Sequence, residues 1–460
     1  MSFDRTKIPE PAPLRTFRFP PVQRTRLDNG VTVLRAEHGS LPLVTVRVAV
    51  DAGAAAERTA EEGLAWLTTK ALEGGTLTRP GDALAWEIER LGAQLETRTT
   101  WDAVHVQLTT RSDRLAQACA LLADIVRTPA FPAHEVERLR DAQLAEMLRR
   151  RSEPRGLADD MAAHYIFARG ATYARSLLGL EEHVGTFARE RVAAYHARQF
   201  VPGGTALVLI GKADARAVEQ EIARCFGDWS GPREAPAAVT TDPGPDRTTI
   251  FLIDRPSAVQ SELRIGHVGV PRHHADYYPL LVMNALLGGV FTSRLNLSLR
   301  EKHGFTYGVR SSFAFRRAAG PFLIETAVAT EATARAVAEA LRELHGLCAD
   351  GATDEEVRAA RDYLAGTLPL QMQTTEQLAA RIADLFTFDL PDDYFEHYRE
   401  RIGSVTNAEV MRVAREHLHL NRLAIIVVAN ASAVDDELRQ LGVGDIVLHE
   451  PARADTTAAI

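Results

Sequence analysis

The chain has 460 residues, more than one ordinary hydrophobic core accommodates, and two domains of about 200 residues each are expected. Its 46% hydrophobic and 25% charged residues are typical of a globular protein, and the mild net charge of −8 disfavours a surface for nucleic acid or anionic membranes. Three widely spaced cysteines (Cys119, Cys225 and Cys348) fit neither a disulfide framework nor a C-x-x-C metal site, so they are interpreted as small core residues.

The first 22 residues contain "PEPAP" and "FPPV" and are interpreted as a Pro-rich arm laid over the fold. They include no apolar stretch of the kind found in signal peptides. The longest apolar run, "YYPLLVMNALLGGVF", is too short and too interrupted to span a bilayer. The expected location is therefore the cytoplasm, with the periplasm as the alternative if a precursor is processed.

An N-terminal domain is predicted over residues 23–228. It opens with a hairpin, "RTRLDNGVTVLRAEH", in which alternating apolar positions flank a turn at Asn29 and Gly30. A strand "LVTVRVAVDAG", a helix, a half-buried strand "WDAVHVQLTT" and further helices follow. The domain ends with the helix "RERVAAYHARQF" and the apolar strand "TALVLIG".

The first helix of this domain lies in "EEGLAWLTTKALEGGT". Gly63 opens it, Leu64, Leu67 and Ala71 recur at helical spacing, and the glycine pair beginning at Gly74 ends it. The spacing predicts a helix with one buried apolar face.

Residues 229–246 read "WSGPREAPAAVTTDPGPD" and are predicted to be a linker, because Pro, Gly and acidic residues replace apolar periodicity. The same order of strands and helices then returns over residues 247–450, which are predicted to form a C-terminal domain, and residues 451–460 are expected to be a flexible tail.

Short strings also recur between the two halves. "EVERLRD" at Glu135 returns as "EVRAARD" at Glu356, an offset of 356 − 135 = 221. "ALVLIG" at Ala206 returns as "AIIVVA" at Ala424, an offset of 424 − 206 = 218. Agreement in order at a nearly constant offset predicts two matching α+β units.

The stretch "GLAWLTTKALEGGT" in the first half and "SRLNLSLREKHGFTYGVRSSF" in the second closely resemble the insulinase, pitrilysin and mitochondrial-processing-peptidase family. These proteins are inverzincins, whose zinc motif is H-x-x-E-H. The similarity covers roughly residues 20–450. It implies two homologous α+β domains, each a mainly antiparallel sheet packed with helices, that together form half of a clamshell.

The resemblance fails at the metal motif. Trp66 stands at the position of the first His, Thr69 at that of the Glu and Lys70 at that of the second His. The third family ligand is matched by Glu146, since 146 − 70 = 76. An indole and an ammonium offer zinc no lone pair, and one carboxylate does not replace three protein ligands. We therefore expect no metal and no other cofactor in this chain.

Other histidines were weighed as metal ligands. "HEVER" from His134 and "HYRER" from His397 imitate zinc motifs but end in Arg. His417 and His419 lack an evident third donor, and the pair His273–His274 lies in a polar loop. Solvated or helix-capping side chains are the preferred interpretation for all of them.

The second-half motif "TSRLNLSLREKHGFTYGVRSS" predicts a helix that ends at Gly304 and a strand that carries Phe305, Tyr307 and Val309 on one side. Arg300 would then end the helix, and its tip and that of Tyr307 could reach one cavity. Without the resemblance, an Arg near a helix end is usually solvated and a strand Tyr is usually part of the core.

The resemblance implies that Arg300 and Tyr307 donate hydrogen bonds to the substrate's backbone carbonyl beside the scissile bond. Some members of the family divide the site between two subunits, one with H-x-x-E-H and one with the Arg and Tyr. The chain is therefore expected to be the zinc-free subunit of a heterodimeric peptidase, inactive alone, with a paralogous H-x-x-E-H partner that binds the zinc and a short or unfolded peptide as substrate. A scaffold protein without proteolytic activity, similar to core subunits of respiratory complexes, is the alternative. No Ser/His/Asp or Cys/His constellation indicates an independent activity.

Overall fold

A computed structural model describes residues 17–39, 41–235 and 238–449. Two six-stranded sheets packed with helices form the fold, which confirms the α+β class. Most of the arm predicted for residues 1–22, residues 236–237 of the predicted linker and the tail predicted for residues 451–460 lie outside the described residues.

The strands divide between the two halves of the chain. The first sheet contains β1 (Gln23–Arg26), β2 (Thr32–Ala36), β3 (Leu43–Val50), β4 (Gln94–Thr99), β5 (Val104–Arg111) and β6 (Thr205–Gly211). The second sheet contains β7 (Thr249–Asp254), β8 (Gln260–Val268), β9 (Val309–Phe313), β10 (Pro321–Ala329), β11 (Ala424–Ala429) and β12 (Asp445–His449).

Both sheets have the same topology except at one edge. Their spatial orders are β1-β2-β6-β3-β5-β4 and β12-β7-β11-β8-β10-β9. The β2–β6 and β7–β11 pairs are parallel, and the three pairs that follow in each sheet are antiparallel. At the differing edge, β1 is antiparallel to β2, whereas β12 is parallel to β7. The repeated strings of the sequence therefore correspond to a repeated, mainly antiparallel sheet.

The helices are distributed in the same way. The N-terminal half contains α1 (Leu64–Ala71), α2 (Gly81–Arg90), α3 (Leu115–Arg127), α4 (Ala133–Ser152), α5 (Pro154–Ile166), α6 (Glu181–Val184), α7 (Arg189–Gln199) and α8 (Ala215–Phe226). The C-terminal half contains α9 (Tyr277–Asn284), α10 (Thr333–Asp350), α11 (Asp354–Thr367), α12 (Thr375–Thr387), α13 (Tyr398–Ser404), α14 (Asn407–His417) and α15 (Ala431–Gln440), with π-helical segments at Ala285–Gly289 and Asn296–Lys302.

Each half covers one face of the other half's sheet with a helix. The helix α5 packs on β8 and β11, and α12 packs on β3 and β6. Polar contacts accompany both exchanges: Thr45 on β3 donates to the Thr375 hydroxyl at 2.8 Å, and Arg264 on β8 donates to Asp159 of α5 at 2.8 Å. Because apolar residues of both halves share these cores, neither sheet is buried by its own half alone.

Cys119 and Cys225 are buried and Cys348 is half-buried, all three as free thiols, which agrees with their interpretation as small packing residues. Among the described helices, none combines the length and apolarity needed to cross a bilayer.

Candidate functional site

The helix α1 is fixed at its entry by a glycine. Gly63 has a φ of +101°, and a Cβ there would lie 2.4 Å from the carbonyl oxygen of Leu178. Leu64, Leu67 and Ala71 are all buried, which confirms the predicted helix and its apolar face. Backbone conformation and packing therefore define this helix, independently of any metal.

A buried carboxylate holds the same helix end. Glu57 accepts hydrogen bonds from the backbone N–H groups of Gly63 at 3.1 Å and Ala65 at 2.7 Å. Arg175 donates to the second carboxylate oxygen at 2.7 Å. Burial raises the pKa of Glu57 to about 7, while Arg175 and the amides of the first turn of α1 favour its charged form.

The positions that correspond to the metal motif have other contacts. The Thr69 hydroxyl is buried and donates to the carbonyl of Ala65 at 2.7 Å. The Lys70 ammonium points to Thr97 on β4, with 3.5 Å between Nζ and the hydroxyl oxygen. Trp66 is half-buried. None of these side chains has a free electron pair directed at a common point, as zinc ligation requires.

Trp66 and Glu146 line one cavity of about 640 Å³, which we call the α1 cavity; Trp101, Asp159 and Arg316 also form its walls. Thr69 and Lys70 do not line it. Both oxygens of Glu146 are bound by Arg149, at 2.6 and 2.7 Å. The structure thus brings together two of the four motif positions, an indole and an ion-paired carboxylate, and this donor set does not fit a zinc ion.

In the C-terminal half, the segment around Arg300 is wound as a π-helix, a conformation often found at functional sites. It ends before Gly304, whose φ is +62°, as predicted. Asn296 anchors its first turn to the next strand: the side chain donates to the carbonyl of Val309 at 2.8 Å and accepts from its N–H at 3.2 Å. Asn296 was not identified from the sequence, where only a lone Asn within an apolar run could have indicated it.

Tyr307 lies in a bend before β9 and is 94% exposed. The prediction that it lies on the strand is wrong, since β9 begins at Val309. The Thr306 hydroxyl accepts from the N–H of Gly308 at 3.1 Å and donates to its carbonyl at 2.9 Å. These bonds replace strand pairing and bend the chain, which leaves the Tyr307 side chain in solvent.

Tyr307 lines a second cavity, of about 570 Å³, which we call the Tyr307 cavity; Phe291, Asn296 and Arg310 are also in its walls. Arg300 does not line it, but its guanidinium lies 4.1 Å from the ring centre of Phe291. The structure thus does not place Arg300 in the cavity that Tyr307 lines, and Phe291, which is 67% exposed, is a wall of that cavity and the ring against which Arg300 lies.

The Arg300 guanidinium has unused hydrogen-bonding capacity. Its Nη1 lies 3.4 Å from Glu301 Oε1 but makes no hydrogen bond within the described part of the chain. The Tyr307 hydroxyl likewise has no hydrogen-bond partner among the described residues. Of the two donors, the exposed Tyr307 is open to an acceptor from outside the chain, whereas the unpartnered Nη1 of Arg300 is buried against its neighbours.

The two cavities share the helix α5 as a wall. Arg155 at the start of α5 lines the Tyr307 cavity, and Asp159 one turn later lines the α1 cavity. Arg264, which is 1% exposed, donates to Asp159 and to Glu262 at 2.8 and 2.9 Å. Burial by itself lowers the pKa of Arg264, but the two carboxylates outweigh it and raise the pKa, so the guanidinium stays charged.

A histidine cluster lies elsewhere and includes His417, for which the sequence indicates no third donor. Ligand atoms of His274, Asp276 and His417 lie within 4.8 Å of one another. Arg412 binds both oxygens of Asp276, and with His417 it lowers the pKa of that carboxyl to about 2. Because the charged Asp276 carboxylate is already paired with Arg412, the cluster is an ion-pair network. It fastens the loop before α9 to α14. Sequence reasoning missed it because Asp276 and His417 are 141 residues apart.

Comparisons with known proteins identify relatives of both halves of the chain. The sequence profile described as Insulinase (Peptidase family M16) matches residues 32–180, and that described as Peptidase M16 inactive domain matches residues 186–364. A probable mitochondrial-processing peptidase subunit beta from Schizosaccharomyces pombe is 26% identical over 451 residues, which are 92% of this chain and 94% of that protein.

Two further similarities extend the comparison. Subunit 1 of the mitochondrial cytochrome b-c1 complex from Bos taurus is 28% identical over 277 residues, which are 58% of this chain and 56% of that protein. The crystal structure of a peptidase M16 inactive domain from Pseudomonas fluorescens matches with a TM-score of 0.82 and 25% identity, covering 89% of this chain and 97% of the other. The two profiles together span most of the chain, and the chain belongs to the insulinase family, peptidase family M16.

Proposed function

We propose that this chain is the non-zinc-binding subunit of a heterodimeric zinc metallopeptidase. In this proposal Arg300 and Tyr307 bind the peptide substrate, and a paralogous subunit with H-x-x-E-H supplies the zinc. One contrast carries the proposal: Tyr307 is 94% exposed without an intramolecular hydrogen bond in the described structure, while the motif positions of α1 hold an indole, a buried hydroxyl and an ammonium.

The chemistry of the two donors suits a peptide carbonyl. A phenol hydroxyl and a charged guanidinium both donate to oxygen, and they bind it more strongly as negative charge develops on it. Tyr307 is exposed, so a carbonyl that reaches its hydroxyl gains a partner without breaking an existing hydrogen bond, while the buried Nη1 of Arg300 must turn outward to reach the same oxygen. Short or unfolded peptides are the proposed substrates, because their backbone carbonyls are accessible.

The comparisons support a paired assembly. The relatives from Schizosaccharomyces pombe and Bos taurus are both named as subunits. We expect the partner in the same compartment, the cytoplasm. The net charge of −8 makes nucleic acid an unsuitable partner.

The test uses the complex reconstituted with an H-x-x-E-H paralogue. Replacing Arg300→Ala and Tyr307→Phe together should lower kcat/KM by about 100-fold or more, as loss of transition-state hydrogen bonds does. Zinc content, measured by mass spectrometry of the metal, should not change. Tyr363→Phe, at a half-exposed tyrosine of α11, is the matched control. Undiminished turnover by the double variant would contradict the assigned role.

A scaffold role is the second candidate, and the likeness to a subunit of the cytochrome b-c1 complex favours it. A scaffold would leave the polar tips of Arg300 and Tyr307 without a substrate. Purification of the chain from its native cells discriminates the two: an H-x-x-E-H protein should co-purify with it in a peptidase, and its absence would favour the scaffold.

A further inference from the structure

The α1 cavity contains an arginine contributed by the other half of the chain. Arg316 lies in the loop between β9 and β10, and its guanidinium lies 4.7 Å from the ring of Trp101 and 4.3 Å from the ring of Tyr173. Together with Trp66 it forms a wall of the cavity. A side chain of the C-terminal half thus completes a cavity built on the altered metal helix.

The other charged walls of this cavity are paired. The pairs are Asp159–Arg264, Asp160–Arg150, Glu146–Arg149 and Arg175–Glu57, with N–O distances of 2.6 to 2.8 Å. Arg316 has no carboxylate oxygen within 4 Å among the described residues, and its Nη1 has no hydrogen-bond partner there. Among the described residues it is therefore the arginine of the cavity without a close ion pair, although Asp102 acts on its charge from beyond 4 Å.

The surroundings of Arg316 favour an anionic ligand with one charge. Burial lowers the pKa of the Arg316 guanidinium to about 10, so it remains protonated at neutral pH while much of its hydration is lost. A planar guanidinium binds a carboxylate through two parallel hydrogen bonds. One guanidinium without a close ion pair matches one negative charge, so a doubly charged anion such as phosphate would keep a charge without a partner.

The rest of the cavity suits a peptide. Trp66, Trp101, Leu177 and Leu178 provide aromatic and aliphatic walls, and a volume of about 640 Å³ lies in the range of small-molecule and peptide pockets. Peptide side chains next to the charged group could pack on these walls.

We propose that the α1 cavity binds a peptide carboxylate through Arg316, with Trp66 and Trp101 contacting the adjacent residue. The carboxylate is supplied either by the C-terminus of the peptide or by an Asp or Glu side chain. The biological setting rests on the proposed function, which brings peptides to this face, but the binding itself belongs to the isolated chain. The residue that replaced the first family ligand thereby lines a substrate subsite.

The experiment measures binding of short peptides to the isolated full-length chain by calorimetry. Three peptides differ only in their carboxylates. They are a free acid without acidic side chains, its C-terminal amide, and the same amide with one residue replaced by Glu. At least one carboxylate-bearing peptide should bind about tenfold or more tightly than the neutral amide. Arg316→Gln should reduce its affinity to that of the neutral amide. The control Arg138→Gln, at an exposed arginine of α4 paired with Glu135, should change nothing.

A second variant separates binding from folding. Trp66 is half-buried, so Trp66→Leu should keep the thermal transition and weaken binding by about fivefold or more by removing an aromatic contact. Preference for the free acid identifies the C-terminus as the source of the carboxylate, and preference for the Glu peptide identifies a side chain.

Three results would overturn the inference: equal affinity for the neutral amide, unchanged affinity in folded Arg316→Gln, or no binding of any of the peptides. Because no partner subunit is present, these results do not depend on Arg300 and Tyr307. Failure of the turnover test, in turn, leaves the carboxylate binding intact, so the two proposals fail separately.

Discussion

The two halves of the chain have the same strand order, yet they satisfy their polar groups in opposite ways. In the N-terminal half, the motif positions of α1 are closed: Thr69 binds its own helix and Lys70 points to β4. In the C-terminal half, Tyr307 and Phe291 project into solvent beside a π-helix. The fold therefore depends on apolar faces and glycine turns, while the polar positions can diverge without loss of the architecture.

The same contrast is present in the centres of the sheets. Arg47 on β3 and Arg264 on β8 occupy equivalent register positions. Arg264 forms ion pairs with Asp159 and Glu262, whereas Arg47 donates to the neutral Gln107 at 2.8 Å. Arg264 thus joins the two halves by a direct ion pair, whereas the hydrogen bonds of Arg47 stay within its own sheet and the carboxylates that act on it, Glu96 and Asp384, do so without a direct ion pair.

The largest expected effect tests whether α1 is fixed by its backbone. Gly63→Ala should lower the free energy of unfolding by about 3 kcal/mol or more, because the new Cβ would meet a carbonyl oxygen at 2.4 Å and the residue keeps a positive φ. Gly92→Ala is the matched control, since its φ is +58° but nothing lies within 4 Å of the new Cβ, and about 1 kcal/mol is expected. Urea denaturation measures the free energy of unfolding of both variants. Equal losses would show that the close contact at Gly63 costs nothing beyond the positive φ.

The second-largest effect is expected at the central arginines of the two sheets, Arg264 and Arg47. Arg264→Met should cost about 3 kcal/mol, because it leaves Glu262 and Asp159 without their partner. Arg47→Met should cost about 1 kcal/mol, because its hydrogen-bond acceptors are neutral. Denaturation of both variants checks the order, and a larger loss for Arg47 would contradict the assigned asymmetry.

A smaller effect compares the glutamates of the repeated string. Glu356 caps α11 and binds Arg294, with N–O distances of 2.5 and 2.7 Å, while Glu135 pairs only with Arg138 on its own helix. Burial by itself raises the pKa of Glu356, but Arg294 and Thr353 outweigh it and lower the pKa to about 2. Allowing for solvent screening, Glu356→Gln should cost about 1–2 kcal/mol at pH 7 and Glu135→Gln below about 0.5 kcal/mol.

The pH dependence of this pair follows from the sign of the shift. A carboxyl whose pKa is lower in the folded state contributes its stabilisation above its unfolded value of 4.5 and loses it as the pH falls toward 2. The difference between wild type and Glu356→Gln should therefore shrink steadily below pH 4.5. A constant difference down to pH 3 would show that the stabilisation is not ionic.

The smallest expected effect concerns Thr69. Thr69→Val should change stability by less than about 0.5 kcal/mol, because the lost hydroxyl only returns to a carbonyl of its own helix. Turnover of the reconstituted complex should also be unchanged, although this position would carry the catalytic Glu in an active subunit. A drop in turnover would give α1 a chemical role that the comparison denies it.

Much of this architecture was predictable from local pattern. The spacing of Leu64, Leu67 and Ala71 predicted α1, and the repeated strings predicted two matching units. The strand position of Tyr307 was predicted wrongly, because alternation of apolar residues does not reveal that the Thr306 side chain takes over the backbone bonds of Gly308. Local pattern also contains no information on contacts over long sequence distances, such as Arg316 against Trp101.

The exchange of α5 and α12 between the sheets has a consequence for biosynthesis. The first sheet emerges from the ribosome long before Leu378 and Ile382, the α12 residues that complete its apolar core, have been translated. Until α12 is made, the apolar face of the first sheet that it covers stays exposed while most of the remaining polypeptide is synthesised. A truncated product that ends between the two halves would keep this apolar surface exposed to solvent. Chaperones and proteases would be expected to act on it.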